Sequence, residues 1–186
     1  MFSTDLAMVM DGWNGYHASI VHAIEPLTAE QLAWRPAPGM RSVGELARHI
    51  ALGRITWFVR MDPPGGAELV AEIEDWEVDG DGSRHVNEDA FPITDSAEEL
   101  VRWMNMSWAM IDATLNEWTV SDLTKSYRHT FRGTVYSVSR QWTIWRIMAH
   151  DIHHGGQLST MLAIQGIEPF ELLGLGGHII EPPHAE

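Results

Sequence analysis

The stretch His150-Asp151-Ile152-His153-His154-Gly155-Gly156-Gln157 lies inside a helical pattern running from about Ser139 to Gln165, which Gly166 is placed to end. Residues four apart on a helix stand one turn above each other, so His150 and His154 point the same way. That is how a helix offers two imidazoles to one metal ion. Arg146, a turn earlier, and Gln157, three residues after His154, fall on the same stripe and are candidates to orient a substrate. Two histidines seldom hold a first-row metal alone, so the pattern asks for a third ligand from another segment. Met148, Ile152, Leu158 and Leu162 surround the cluster with apolar residues, which turns part of it toward a core.

Outward from this stretch the chain reads as helices. From about Ser3 to Ile24, the residues Leu6, Val9, Met10, Trp13, Tyr16, Ile20 and Ile24 recur at three- and four-residue steps, an amphipathic stripe. His17 and His22 in this segment are five apart and diverge, so they make a poor chelating pair and are read as packing or surface residues. Thr28 with Gln31 resembles a capping box for a brief turn, and Trp34 to Gly39 breaks any helix. Ser42 with Glu45 is a clearer capping box, opening a second helix expected from Val43 to Met61 and stopped by Asp62-Pro63-Pro64-Gly65-Gly66. His49 is a lone histidine in the apolar stripe of that helix. By default it is a core histidine satisfied by a hydrogen bond, yet it is also the natural third ligand.

Residues 63 to about 94 are acidic, rich in Gly and Pro, and without sustained periodicity, so a long crossover is expected there. Within it, Asp79-Gly80-Asp81-Gly82-Ser83 fails as a calcium loop, because Arg84 and Ala90 stand where Gly and Glu are needed; it is read as a solvated acidic turn. Ser96 with Glu99 caps a third helix to about Trp118, whose stripe of Leu100, Trp103, Met104, Trp108, Ile111 and Leu115 is read as core. Between Lys125 and Val138 β-branched and aromatic residues dominate, and Arg132-Gly133 interrupts them, which predicts a short irregular hairpin. The histidine-bearing helix follows, and the Gly- and Pro-rich tail beyond Gly166 is expected to extend over the bundle.

A zincin-type reading of His150-Asp151-Ile152-His153-His154 would put Asp151 in place of the general-base glutamate. The aspartate is one methylene shorter and would not reach a metal-bound water in the same way, and Gly155-Gly156 also departs from that signature. A three-histidine site in a helical bundle, with two ligands from the last helix and one from an earlier one, fits better.

Two segments carry a family resemblance. Arg41-Ser42-Val43-Gly44-Glu45-Leu46-Ala47-Arg48-His49-Ile50 resembles the second-helix motif of the DinB superfamily of DinB/YfiT-like metalloenzymes, and His150 to Leu158 resembles its fourth-helix motif. Leu173-Gly174-Leu175-Gly176-Gly177-His178 is similar to the tails of some members. The resemblance implies a single all-α domain over residues 1–186, a four-helix bundle with long crossover connections, often a homodimer. It also implies a divalent metal, commonly zinc or nickel, with the ligands carried over to His49, His150 and His154. His153 matches the histidine or aromatic that often precedes the last ligand and is a fallback. Many members have Arg where this chain has Gly155. Resembling proteins include thiol-dependent transferases and a mycothiol-dependent isomerase. The expectation is thus a metal-dependent transferase or hydrolase that activates a thiol or water for a small-molecule substrate, with a low-molecular-weight thiol as cosubstrate. The competing expectation is a non-catalytic dimeric bundle with a structural or adventitious metal.

The totals are consistent with one domain. The 186 residues suffice for a single buried core, and 45% of them are hydrophobic. A formal charge of −14, with Lys125 the sole lysine among 12 basic residues, argues against nucleic acid or an anionic membrane as partner. The chain has no cysteine, so neither a disulfide nor a thiolate metal site. The start Met1-Phe2-Ser3-Thr4-Asp5 lacks the pattern of a signal peptide, and no apolar run approaches the roughly 20 residues that span a bilayer, so a cytoplasmic location is expected.

Overall fold

A computed structural model describes residues 6–74, 76–78, 82, 84–91 and 93–169. A turn of helix α1 (Leu6–Val9) leads into α2 (Asp11–Ile24); α3 (Ala29–Ala33) is short, and α4 (Val43–Phe58) continues as a 3-10 turn through Met61. After α5 (Gly66–Ala71) come strands β1 (Trp76–Val78) and β2 (Arg84–Val86), then α6 (Ala97–Glu117), strands β3 (Ser126–Phe131) and β4 (Thr134–Ser139), and α7 (Arg140–Ile164). The fold is mainly helical with two small antiparallel sheets. Helix α4 packs against both α6 and α7, and α2 packs against the same two. Their shared interior is built from residues such as Ile20, Ile50, Ile55, Phe58, Met104, Ile111, Ile147 and Leu162, all essentially inaccessible to solvent. No helix among the described residues is long and apolar enough to cross a membrane.

Side chains set most helix ends where the sequence asks for them. Ser42 accepts from Glu45 N–H while the Glu45 carboxylate takes Ser42 N–H, and Thr28 and Gln31 repeat that box. Ser139 accepts from Trp142 N–H at 3.1 Å and opens α7 one residue after the expected start. At the other end Gly166 turns left-handed at φ +76°, and Ile167 N–H reaches Leu162 O at 3.0 Å, closing a C-cap that a Cβ would strain.

Three expectations are corrected. The first helix does not run unbroken to Ile24: Met10, at φ −107° and ψ 15°, separates α1 from α2. Asp11, Gly12 and Gly15 follow closely, and such weak helix formers do not carry the pattern across the bend. The β3–β4 hairpin is regular, with six residue pairs from Ser126↔Ser139 to Phe131↔Thr134. Arg132 and Gly133 both take positive φ, 51° and 79°, the two-residue primed turn whose twist suits a hairpin. Finally, the acidic connection carries α5 and a three-pair ladder, Trp76↔Val86 to Val78↔Arg84, too short for alternation to register in the sequence. Of the acidic turn Asp79–Ser83 only Gly82 is described, and the tail motif Leu173–His178 lies outside the described residues.

Candidate metal centre

His49 leaves the second turn of α4, and His150 and His154 leave α7 where the two helices pack together. One nitrogen from each of the three lies within 4.8 Å of the others. The ring centroids are 4.8 Å (His49–His150), 4.7 Å (His49–His154) and 4.4 Å (His150–His154) apart. Gly53, one turn beyond His49, is what lets the helices close: a Cβ there would stand 2.8 Å from Cε1 of His150.

The hydrogen bonds decide which nitrogens are left to act. Nδ1 of His49 lies 2.7 Å from Oε1 of Glu88, and Nδ1 of His154 lies 2.7 Å from Oε1 of Gln157. Both acceptors fix the proton on Nδ1 and leave the Nε2 lone pair bare. The remaining ring is not fixed in this way. Nδ1 of His150 is buried without a hydrogen bond, and Oδ1 of Asp151, 3.7 Å away, is also unbonded. Nε2 of His150 meets Nε2 of His49 at 3.0 Å. With the His49 proton on Nδ1, that contact is satisfied by an Nε2–H of His150 donating to His49, or by a cation that replaces this proton. Imidazoles on one tetrahedral ion have nitrogens roughly 3.3 Å apart for bonds of about 2.0–2.1 Å, so little movement separates this arrangement from a ligand set. Outer-sphere acceptors on Nδ1 are what metal-bound histidines usually have.

The electrostatics agree. Burial is the main cause that takes His154 down to about 4; the Gln157 hydrogen bond opposes it, and His150, His49 and His153 add to it. It is a neutral base at ordinary pH. For Glu88, burial pushes the carboxyl up, but the His49 hydrogen bond and the charges of His49, Arg41 and Arg48 outweigh it, and the net direction is down. The anion beside the triad therefore stays ionised. An open cleft of about 360 Å³ leads to the histidines, lined also by Gly53, Thr56, Trp57, His85, Val86, Glu88 and Arg146.

Arg146 stands at the rim of that cleft with its guanidinium 4.4 Å over the Trp57 ring. Gln157 is engaged by His154. His153 is exposed and touches the site only through its ring, 4.8 Å from that of His154. Asp151 points away, buried against Arg54 and Trp13, so it holds no position from which to act as a general base on the cleft. At Gly155 a Cβ would fall 2.3 Å from the Tyr16 hydroxyl, which donates to Ile152 O at 3.0 Å. Any side chain there would have to displace the Tyr16 ring. Glu88 is the site residue that the sequence did not reveal. It arrives from the acidic connection, 39 residues from its histidine, and one acid among many there offers no periodic signal.

A mainly helical frame presenting three histidines at the mouth of a cleft defines a candidate metalloprotein. The chain belongs to the DinB superfamily, whose family profile matches residues 17–158 and so includes all three histidines. Two solved structures share the fold. One is a DinB-like protein from Bacillus cereus, at 19% identity and a TM-score of 0.64, covering 94% of this chain and 99% of its own. The other is a DinB-like protein from Bacillus subtilis, at 16% and 0.60, covering 88% and 96%. No curated protein matches the sequence.

Proposed function

We propose that this chain is a divalent-metal-dependent enzyme of transferase or hydrolase type, a four-helix bundle with long crossovers in which His49, His150 and His154 hold the ion. The observation that carries this reading is three imidazoles with a nitrogen each within 4.8 Å of one another, two of them engaged at Nδ1 so that Nε2 is the nitrogen turned to an ion. Three neutral imidazoles suit zinc or nickel and leave coordination positions open. Bound there, the ion supplies Lewis-acid polarisation and a lowered pKa for a water or thiol. Glu88 and Gln157 hold two of the rings in register, and Arg146 orients the substrate. The chain has no cysteine of its own, so a thiol nucleophile comes from a low-molecular-weight cosubstrate.

The competing structural-metal reading is disfavoured because the interior carries a separate, buried polar network around Arg54 and Asp151 that braces the same helices. Metal removal should therefore leave the melting temperature nearly unchanged, whereas a structural ion would be needed for folding. Trp145, 61% exposed, and Ile152, 51% exposed, share an outward face of α7 and support a homodimer through that helix. Sedimentation equilibrium at the mass of one 20.9 kDa chain would exclude it.

The ligand set is tested by metal titration of His49→Ala, His150→Ala and His154→Ala, each expected to lose at least tenfold in affinity. Full retention by His49→Ala would disprove a site shared between α4 and α7. Occupancy should also fall as pH drops below about 6.5, because protons compete for the same nitrogens.

A further inference from the structure

Beside the histidine cleft lies a second one of about 500 Å³, lined by Trp57, His129, Phe131, Tyr136, Trp142 and Arg146 among others. Trp57 and Arg146 belong to both, so the two spaces adjoin. Three of the lining rings are left in solvent: Phe131 is 56% exposed, Tyr136 49% and Trp142 45%. They come from β3, β4 and α7, and so converge from separate elements on one concavity. A volume near 500 Å³ is in the usual range for small-molecule sites, which are mostly apolar with a few placed polar groups.

Arg146 is the placed polar group. Its guanidinium is held 4.4 Å over Trp57 and 5.5 Å from the Trp142 ring. Stacking fixes the plane and leaves the N–H edges unused, since no hydrogen bond or ion pair to a described residue engages them. Arg35, Arg54 and Arg102 each have a carboxylate instead. In a chain with 26 acidic and 12 basic side chains, an arginine without an acid between two clefts is an anion receptor by charge and by geometry. The planar fork matches a carboxylate, and its single charge matches a monoanion.

We propose that this cleft binds a small carboxylate-bearing molecule with an aromatic or bulky apolar body. The carboxylate sits on Arg146 and the body on Phe131, Tyr136 and Trp142, since Trp57 is already stacked by Arg146 and Arg60; this brings the anionic end to the edge of the histidine cleft. The proposal takes from the functional reading above only the identity of the reacting end, so the two can fail separately.

The test uses 2-naphthoate and its neutral isostere 2-naphthamide, titrated by calorimetry into the full chain, once zinc-loaded and once chelator-treated. Naphthoate should bind at least tenfold more tightly than the amide in both forms. Arg146→Gln should bring the two within twofold of each other and leave amide binding as it was, which also reports an intact fold. Trp142→Ala should weaken both ligands by a similar factor. Equal affinities in the wild-type chain, as expected if a second copy covers the cleft, would overturn the proposal. So would a preference that survives Arg146→Gln, or one that vanishes on chelation, because the carboxylate would then have been on the ion. A chain that holds no zinc but keeps the naphthoate preference would refute the metal reading and leave this one standing.

Discussion

His150 and Asp151 are neighbours in sequence, yet they belong to two polar clusters of opposite character. His150 joins His49 and His154 at a cleft, where its Nε2 meets Nε2 of His49 at 3.0 Å and one nitrogen of each ring lies within 4.8 Å of the others. Asp151 faces the interior, fully buried, and its Oδ2 accepts from Arg54 Nε and Trp13 Nε1 at 2.8 Å each. Arg54, equally buried, also reaches His17 Nδ1 at 3.1 Å, and His17 Nε2–H donates to Asn105 Oδ1 at 3.2 Å. The His17 ring lies flat on Trp108, with centroids 4.9 Å apart. The inner cluster is knit together by its own hydrogen bonds and links α2, α4, α6 and α7, although Nη2 of Arg54 and Oδ1 of Asp151 stay unbonded within it. The outer cluster is held from behind, at Nδ1 of His49 and His154, and opens on a cleft in front.

The largest expected effect would break the inner cluster. Asp151→Ala leaves the Arg54 guanidinium buried without a counter-charge, a change that typically costs about 3–5 kcal/mol. Urea denaturation should show that loss, and Arg54→Met combined with Asp151→Leu should recover part of it by removing both charges. A wild-type melt for Asp151→Ala would mean that the inner cluster does not brace the helices.

His17 gives the inner cluster a pH signature. Burial is the main cause that takes it down to about 3; the Arg54 charge adds to this, and Asn105 and Asp151 oppose it. The folded form keeps the ring neutral while the unfolded chain takes up a proton below about 6.5. The stability it contributes is thus complete above that pH and falls as the medium is acidified toward the folded value. By pH 5 the loss is on the order of 2 kcal/mol. The unfolding free energy of His17→Gln should be lower at pH 8 but flatter between pH 6.5 and 5. A parallel slope in the two proteins would remove His17 from this account.

Much of this was legible before any coordinates. Capping serines and apolar stripes marked α4, α6 and α7 to within a few residues, because those signals are local. The i, i+4 spacing paired His150 with His154, and the family resemblance added His49, which spacing alone left as a core histidine by default; these are the three rings that meet. The inner cluster was not legible. Arg54 carries no signal in the sequence and Asp151 was weighed only as a misfit general base, and packing over 97 residues of separation is what makes them a buried pair. Glu88 was hidden for the same reason, and Gln157 read as a substrate-facing residue because sequence spacing cannot tell which neighbour its amide meets.

Glu88→Gln sharpens the outer half of the comparison. The amide keeps the size and can still accept from His49 Nδ1–H, but it removes the negative charge that strengthens the ring as a donor to an ion. Loss of an outer-sphere carboxylate usually costs about 10- to 100-fold in metal affinity, and the low end is expected here because the hydrogen bond survives. Thermal stability should hardly change, since Glu88 is half-buried and outside the interior. If Glu88→Gln destabilises the fold without touching metal affinity, its bond to His49 is structural.

The smallest effect should come from His153, the fallback ligand of the sequence reading. His153 stands three residues after His150 and could share an ion with it on spacing alone. In the structure its side chain is exposed, it borders a different cleft with Met40, Arg41 and Gln157, and its one contact with the triad is an edge-on ring contact with His154. A ring so placed adds little to the position of His154, whose orientation is already set by Gln157. Its charge, when protonated, adds slightly to the lowering of His154, so His153→Ala should strengthen proton competition there only marginally. Metal affinity should stay within about twofold of the wild type at neutral pH, less than the tenfold step that 1.4 kcal/mol represents. A tenfold loss for His153→Ala with full retention for His49→Ala would place the ion along α7 alone. The back-to-back arrangement would then survive as a fold but not as a site, because the outer cluster would no longer bridge the two helices that the inner one ties together.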